Sequence, residues 1–230
     1  MRVTRETLAE VAALHGLAPQ TLERVAQSAT LLACAPGDAF YQQGDPPAGF
    51  FALQTGRVKL YRHSGEKAQI LAILLPGDCF GAESLPDEAP CPWTAEAMEA
   101  STAIYLATDR LRPLMAACPD LQVALLELVS SRLRQFVTLV HDLAFRDVAA
   151  RLAAVLLARA EAEGAVTAAG VQIRRAFSQQ ELAAMVGTAR EVVYRTFRQF
   201  ERDGLLKLSR SHILILDMAR LAEVARRETR

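Results

Sequence analysis

Phe177-Ser178-Gln179-Gln180-Glu181-Leu182-Ala183-Ala184-Met185-Val186-Gly187-Thr188-Ala189-Arg190-Glu191-Val192-Val193-Tyr194-Arg195 is the stretch whose reading decides the fold. Ser178 followed by Glu181 is a capping box, in which the two side chains satisfy first-turn N–H groups reciprocally. The helix it opens is expected over 181–186 and stops at Gly187. Thr188-Ala189-Arg190-Glu191 reads as a second capping box with Thr188 at the cap, opening a helix that runs to about Arg202. Two short helices across a glycine turn predict a helix-turn-helix. In that motif the second helix lies in the DNA major groove and its N-terminal residues meet base edges. Arg190, Glu191, Tyr194 and Arg195 share one face, while Val192, Val193, Thr196, Phe197 and Phe200 form an apolar face for packing. Arginine reads guanine bidentately and glutamate accepts from the cytosine amino group. Asp203-Gly204 ends the helix, and residues 205–208 and 212–216 form a hairpin around Ser209-Arg210-Ser211. Thr188, Arg198, Lys207, Arg210 and Ser211 are candidates for holding phosphates.

Upstream, residues 151–162 read as a helix ending near Gly164, and Pro119-Asp120 opens a much longer one. Its apolar residues Leu121, Leu125, Leu128, Leu133, Phe136, Val140 and Leu143 recur at steps of 4, 3, 5, 3, 4 and 3, close to a heptad seam. A helix striped over this length pairs with something, and a second copy of itself is the simplest partner. Between residues 35 and 107 the period changes to two. Short apolar runs at 39–41, 49–53, 58–61, 68–75 and 103–106 are separated by Pro36-Gly37-Asp38, Gly44-Asp45, Gly56, Ser64-Gly65-Glu66, Pro76-Gly77-Asp78 and Gly81. Such spacing predicts an antiparallel barrel or sandwich. The three Gly-Asp pairs read as one turn geometry used repeatedly. Residues 4–33 read as short helices, with Pro19 near the start of the second.

The fold class is therefore α+β: an antiparallel, jelly-roll-like β-roll over residues 1–118, a dimerisation helix over 119–145, and a winged helix-turn-helix over 146–230. Charge follows the same division. In a chain of 230 residues with 26 Lys+Arg and 26 Asp+Glu, residues 1–145 carry 11 basic and 16 acidic side chains, leaving the basic excess to the C-terminal part. A basic domain suits a polyanion. A hydrophobic fraction of 51% with 23% charged residues excludes a disordered chain. No apolar run approaches the roughly 20 residues of a membrane span. The N-terminus is polar and lacks a signal-peptide h-region, so a cytoplasmic protein without membrane contact is expected. No nucleophile elbow, P-loop or Gly-x-Gly-x-x-Gly fingerprint is present, and residues 35–107 contain a single histidine; an enzyme is not expected.

The chain resembles the CRP/FNR family of transcription regulators over nearly its whole length, in the family's order of elements. The resemblance is carried most specifically by residues 177–195 and by the hinge-like Leu143-Ala144-Phe145-Arg146-Asp147-Val148. Arg190, Glu191 and Arg195 match the family's Arg-Glu-x-x-x-Arg recognition pattern. The resemblance implies a homodimer reading a two-fold symmetric site in double-stranded DNA, with TGTGA-like half-sites. It also implies RNA polymerase as a partner if the protein activates. Tyr194 stands where the cyclic-AMP-responsive members usually have a small residue.

The resemblance also implies an effector in the β-roll. Residues 77–95 correspond to the cassette that binds the cyclic phosphate in cyclic-nucleotide members, and place Phe80, Gly81, Glu83, Ser84, Leu85, Trp93 and Thr94 at the pocket. Pro92 and Trp93 stand where the phosphate-binding arginine is expected, no cation occurs between Lys67 and Arg110, and Asp87 and Glu88 add negative charge. A buried phosphate without a cationic partner is costly, so cyclic AMP is not the expected effector. Cys34, Cys79, Cys91 and Cys118 are too far apart in sequence for an iron–sulfur cluster, and none is expected. The effector stays open between haem, and through it nitric oxide or carbon monoxide, and thiol redox chemistry at Cys79 and Cys91. His63 and His141 are the candidate haem ligands, though each taken alone reads more readily as an ordinary polar residue. A cyclic-nucleotide-responsive or ligand-independent regulator with a degenerate pocket is the alternative.

Overall fold

The computed structural model describes residues 3–65, 67–85 and 87–228. Glu66 of the Ser64-Gly65-Glu66 turn and Pro86 of the cassette-like stretch lie outside the described residues. The chain forms two compact units, one holding residues up to 136 and the other residues 137 onward with the stretch 67–69.

The first unit opens with helices α1 (Arg5–Ala9) and α2 (Pro19–Ser28). Eight strands follow: β1 (Thr30–Cys34), β2 (Ala39–Tyr41), β3 (Phe50–Thr55), β4 (Val58–Ser64), β5 (Lys67–Leu74), β6 (Cys79–Phe80), β7 (Thr94–Ala97) and β8 (Ser101–Leu106). They make two four-stranded sheets, ordered β1-β8-β3-β6 and β2-β7-β4-β5. The expected repeated turn is present three times. Gly37, Gly44 and Gly77 have φ of +88°, +92° and +96°, the conformation a type II turn requires at its third residue. The aspartate after each glycine bonds back across the turn: the Asp38, Asp45 and Asp78 carboxylates accept the N–H of Ala35, Gln42 and Leu75 at 3.0, 2.8 and 2.8 Å.

Strand β3 shows how the roll acquires two cores. Phe51 and Leu53 point into the interior with Tyr41, Leu60, Phe80 and Trp93. Phe50 and Ala52 point the other way, against α1, α2 and the helix α3 (Thr108–Ala117). A strand covered on both faces reads as a continuous apolar run, here Phe-Phe-Ala-Leu. Each fully buried Phe or Leu contributes on the order of 1.5–3 kcal/mol.

Helix α4 (Pro119–Phe145) is the long helix the stripe anticipated. After it, Asp147 caps α5 (Val148–Glu163) by accepting the Ala150 N–H at 2.7 Å. The second unit then contains β9 (Ala165–Thr167), β10 (Gly170–Arg174), α6 (Gln179–Val186), α7 (Arg190–Arg202), β11 (Leu206–Leu208), β12 (His212–Ile215) and α8 (Met218–Ala225). Its sheet runs β11-β12-β10-β9. Sequence reading anticipated one strand pair here. The second, β9–β10, escaped it because its first strand is short and lies in an alanine-rich segment with no alternation to read. Among the described residues no single helix is long and apolar enough to cross a membrane.

Candidate nucleic-acid interface and effector pocket

The capping box at α6 is formed as expected: the Glu181 N–H donates to Ser178 Oγ at 3.1 Å, and the Ser178 N–H donates to Glu181 Oε2 at 2.7 Å. Gly187 ends α6 in the left-handed conformation at φ +65°. A side chain there would also meet the Leu143 side chain, so glycine serves both the turn and the close approach of the end of α4. The second capping box is absent. The cap of α7 is Ala189, without a side-chain bond. The Thr188 N–H instead donates to Ala183 O at 3.0 Å, the six-to-one bond that closes a Schellman turn. Thr188 therefore belongs to the end of α6 rather than the start of α7.

Along α7 the two faces separate as expected. Val193, Phe197 and Phe200 are buried, whereas Arg190, Glu191, Tyr194, Arg195 and Arg198 are exposed. Among the described residues, Arg190, Glu191 and Arg195 make no side-chain hydrogen bond or ion pair, so all three are free for a ligand. Arg198 is different: it is engaged with Tyr194 and Glu201. The wing turn is held from below, with the Arg175 N–H donating to Ser211 O at 2.8 Å and Arg175 Nη1 to Ser209 O at 3.2 Å. Lys207, Arg210 and Ser211 stand exposed on it. Arg175 was missed by sequence reading because it precedes the motif.

The end of α4 is tied to this unit by Arg151 of α5. Its Nε donates to Val186 O at 2.7 Å, at the C-terminus of α6, while Nη1 donates to Arg146 O and, at 3.4 Å each, to Asp142 O and Leu143 O. A guanidinium that spans two helix C-termini bonds the carbonyls exposed there, of which Asp142 O also accepts the Arg146 N–H at 3.1 Å.

The roll interior brings together Phe80, Trp93 and Tyr41, with the Trp93 indole N–H donating to Tyr41 Oη at 3.1 Å. From α4, Phe136 meets Trp93 edge-on at 5.1 Å between ring centroids. Leu85 is not part of this group; it packs with Cys79, Ala82 and the helices on the outer side of β3. Gly81 donates its N–H to Glu83 Oε2 at 2.9 Å, and burial pushes the Glu83 carboxyl upward. Thr94 Oγ1 accepts the Gln43 N–H at 3.0 Å, and Ser84 Oγ reaches Pro90 O at 3.4 Å, so both hydroxyls serve the loop framework.

Two sequence expectations about this region require correction. The cation missing from residues 68–109 is supplied by α4: Arg132 is 6% exposed and donates to Cys79 O at 3.1 Å and to Gln135 Oε1 at 2.8 Å. Its Nε is buried without a hydrogen-bond partner. Asp87 and Glu88 are exposed, and Glu88 pairs outward with Arg112 at 2.5 Å. Pro92 and Trp93 still stand in place of the expected arginine, but a buried cation is present and the two acidic side chains point to solvent. The candidate haem ligands are not interior: His63 is exposed with its ring against Tyr61, and His141 is exposed against Phe145.

Cys79 and Cys91 are buried, and burial pushes the Cys79 thiol up to about 12 and the Cys91 thiol upward. Thiols so placed carry little thiolate near neutral pH. Iodoacetamide applied to the native protein is expected to leave Cys79 unmodified until denaturant is added, as read by peptide mass spectrometry. Rapid native labelling of Cys79 would restore the thiol switch.

The residues assigned to the dimer seam do not share one exposed face. Leu121 and Leu125 are buried in their own protomer, with Leu128 packed beside them, and Phe136 packs on the roll interior. On the opposite face Val123, Leu126, Leu133, Val137 and Val140 are each 55–66% exposed. With Ser130 and Ala144 they recur at alternating steps of 3 and 4, an unbroken heptad pattern. Leu133 and Val140 belong to both assignments; Leu143 lies against Gly187.

A β-roll joined by one long helix to a winged helix-turn-helix is the architecture of a DNA-binding regulator that carries its own ligand-sensing domain. Comparison with known proteins agrees. The profile of the cyclic nucleotide-binding domain matches residues 31–118 and that of the Crp-like helix-turn-helix domain matches residues 150–224. The chain is 28% identical over 222 residues to the CRP-like cAMP-activated global transcriptional regulator of Mycobacterium tuberculosis, covering 96% of this chain and 99% of that protein. It is 28% identical over 212 residues to the cyclic AMP receptor protein of Thermus thermophilus, covering 92% and 95%. Its fold matches a crp/fnr-family regulator from Eubacterium rectale with a TM-score of 0.79 at 21% identity, over 95% of this chain and 99% of that one. The chain belongs to the CRP/FNR family of transcription regulators. It is a DNA-binding regulator of the CRP/FNR type with effector-modulated activity.

Proposed function

We propose that the dimer reads a two-fold symmetric DNA site through Arg190, Glu191, Tyr194 and Arg195, with Lys207, Arg210 and Ser211 on phosphates. Its DNA affinity is set by a compact anionic effector in the roll. Arg132 carries the effector reading. A buried guanidinium with an unpartnered Nε is costly unless an anion completes it, and Trp93 and Phe136 beside it suit a flat ring. A cyclic nucleotide meets that description, and the similarity to the cAMP-activated regulator of Mycobacterium tuberculosis supports it.

Arg132 and Phe136 both stand on α4, so an effector touching them acts directly on the helix that carries the exposed seam. The same helix ends in carbonyls bonded to Arg151. A change at the seam therefore reaches the second unit through the hinge at residues 145–147. A ligand moves this equilibrium only by its difference in affinity for the two states.

Haem, and through it nitric oxide or carbon monoxide, is the second reading, favoured by the aromatic interior of Tyr41, Phe51, Phe80 and Trp93. Neither candidate histidine lies in that interior, since His63 and His141 are both exposed. One experiment separates the two. Cyclic AMP is expected to raise the melting temperature of the full chain and Arg132→Met to abolish the rise, while added haem gives no saturable Soret band. A one-to-one Soret band that shifts with carbon monoxide, with no response to cyclic AMP, would favour haem.

A further inference from the structure

Arg198, a phosphate candidate by position in the sequence, has its guanidinium committed elsewhere. Its Nε donates to Tyr194 Oη at 3.3 Å, and its central carbon lies 5.4 Å from the Tyr194 ring centroid. Its Nη1 pairs with Glu201 Oε2 at 3.0 Å. The other Glu201 oxygen accepts the Leu208 N–H at 3.2 Å. A continuous chain of contacts thus runs from the wing strand β11 through Glu201 and Arg198 to Tyr194, all within the second unit.

Tyr194 stands between Arg190 and Arg195 on the exposed face of α7, 48% exposed. An exposed aromatic on a helix ordinarily samples several rotamers. A guanidinium that both bonds the hydroxyl and lies near the ring restricts it. What a fixed ring at this position can recognise follows from the major groove itself: the 5-methyl of thymine is the apolar feature on its base edges. We propose that Tyr194 reads a thymine methyl in each half-site, and that Arg198 is a positioning residue holding that ring rather than a phosphate contact. The inference rests on α7 being the recognition helix.

The test uses the full chain and duplexes it selects from a random pool. Each thymine of the selected half-site is replaced in turn by deoxyuridine, which removes only the methyl. At one position the wild type is expected to lose about fourfold per half-site, the worth of one buried methyl. Tyr194→Ala is expected to lose that discrimination, and Tyr194→Phe to keep part of it.

Arg198→Lys is the deciding variant, because lysine keeps the charge a phosphate needs but not the fork that grips the tyrosine. It is expected to lose the methyl discrimination while the slope of log affinity against log salt stays unchanged. Two results would overturn the proposal. One is a wild type indifferent to deoxyuridine at every position. The other is an Arg198→Lys protein that keeps full methyl discrimination while Arg198→Met lowers the salt slope by about one per protomer. A wild type that enriches no site would instead overturn the recognition-helix reading itself.

Discussion

Replacing Arg190 and Arg195 together by alanine is expected to lower affinity for the selected DNA site at least about a thousand-fold, to the level of non-specific binding. Each bidentate guanine contact is worth about 1–3 kcal/mol, and a dimer presents each arginine twice. Four lost contacts therefore approach the whole margin between specific and non-specific affinity. Stability should not change, because both side chains are exposed and neither bonds to another described residue. Fluorescence anisotropy at one fixed salt concentration, with a thermal melt alongside, separates the two effects. Retention of affinity within tenfold would remove α7 from the interface. A fall in melting temperature to match the lost affinity would mean that the arginines hold the domain together rather than the DNA.

The contrast between these arginines and Arg198 marks the limit of what the sequence alone can tell. Sequence reading placed Arg190 and Arg195 on the base-reading face and made Arg198 a phosphate candidate, and all three are exposed. It could not distinguish a guanidinium with no internal partner from one already bonded to Tyr194 and Glu201. The same limit operates in the roll. Turn chemistry was legible because it is local: each glycine needs its positive φ and each aspartate bonds a residue three positions away. The buried cation beside Cys79 was not legible, because Arg132 comes from a helix, 37 residues beyond the end of the cassette-like stretch. A charged residue in a helical pattern is also ordinarily assigned to solvent. Thr188 failed for a third reason. One residue cannot serve both helix ends, and the Schellman closure at Gly187 took its backbone.

Helix α4 gives the sharpest instance, and the second large expected effect. Its sequence contains two apolar stripes, one buried against its own roll through Leu121, Leu125 and Phe136, the other exposed through Val123, Leu126, Leu133, Val137 and Val140. The step of 5 between Leu128 and Leu133 marks where the sequence reading crossed from the first stripe to the second. Monomeric proteins seldom leave so long an apolar line in water, and its alternating 3 and 4 spacing suits a parallel or antiparallel partner helix. Leu133→Lys with Val137→Lys is expected to give a folded monomer. Across two chains it removes four apolar side chains from the seam, about 6–12 kcal/mol by transfer energies, against about 8 kcal/mol for a dimer of micromolar affinity. Leu125→Ala is expected to behave oppositely. It should destabilise the roll by about 2–5 kcal/mol through the cavity it leaves while the chain stays dimeric. Sedimentation and thermal melts of the two variants decide which stripe is the seam. If Leu133→Lys with Val137→Lys remained a dimer, the exposed stripe would not be the interface. Because a monomer cannot engage both halves of a symmetric site, loss of the dimer should also reduce DNA affinity without altering a single residue of α7.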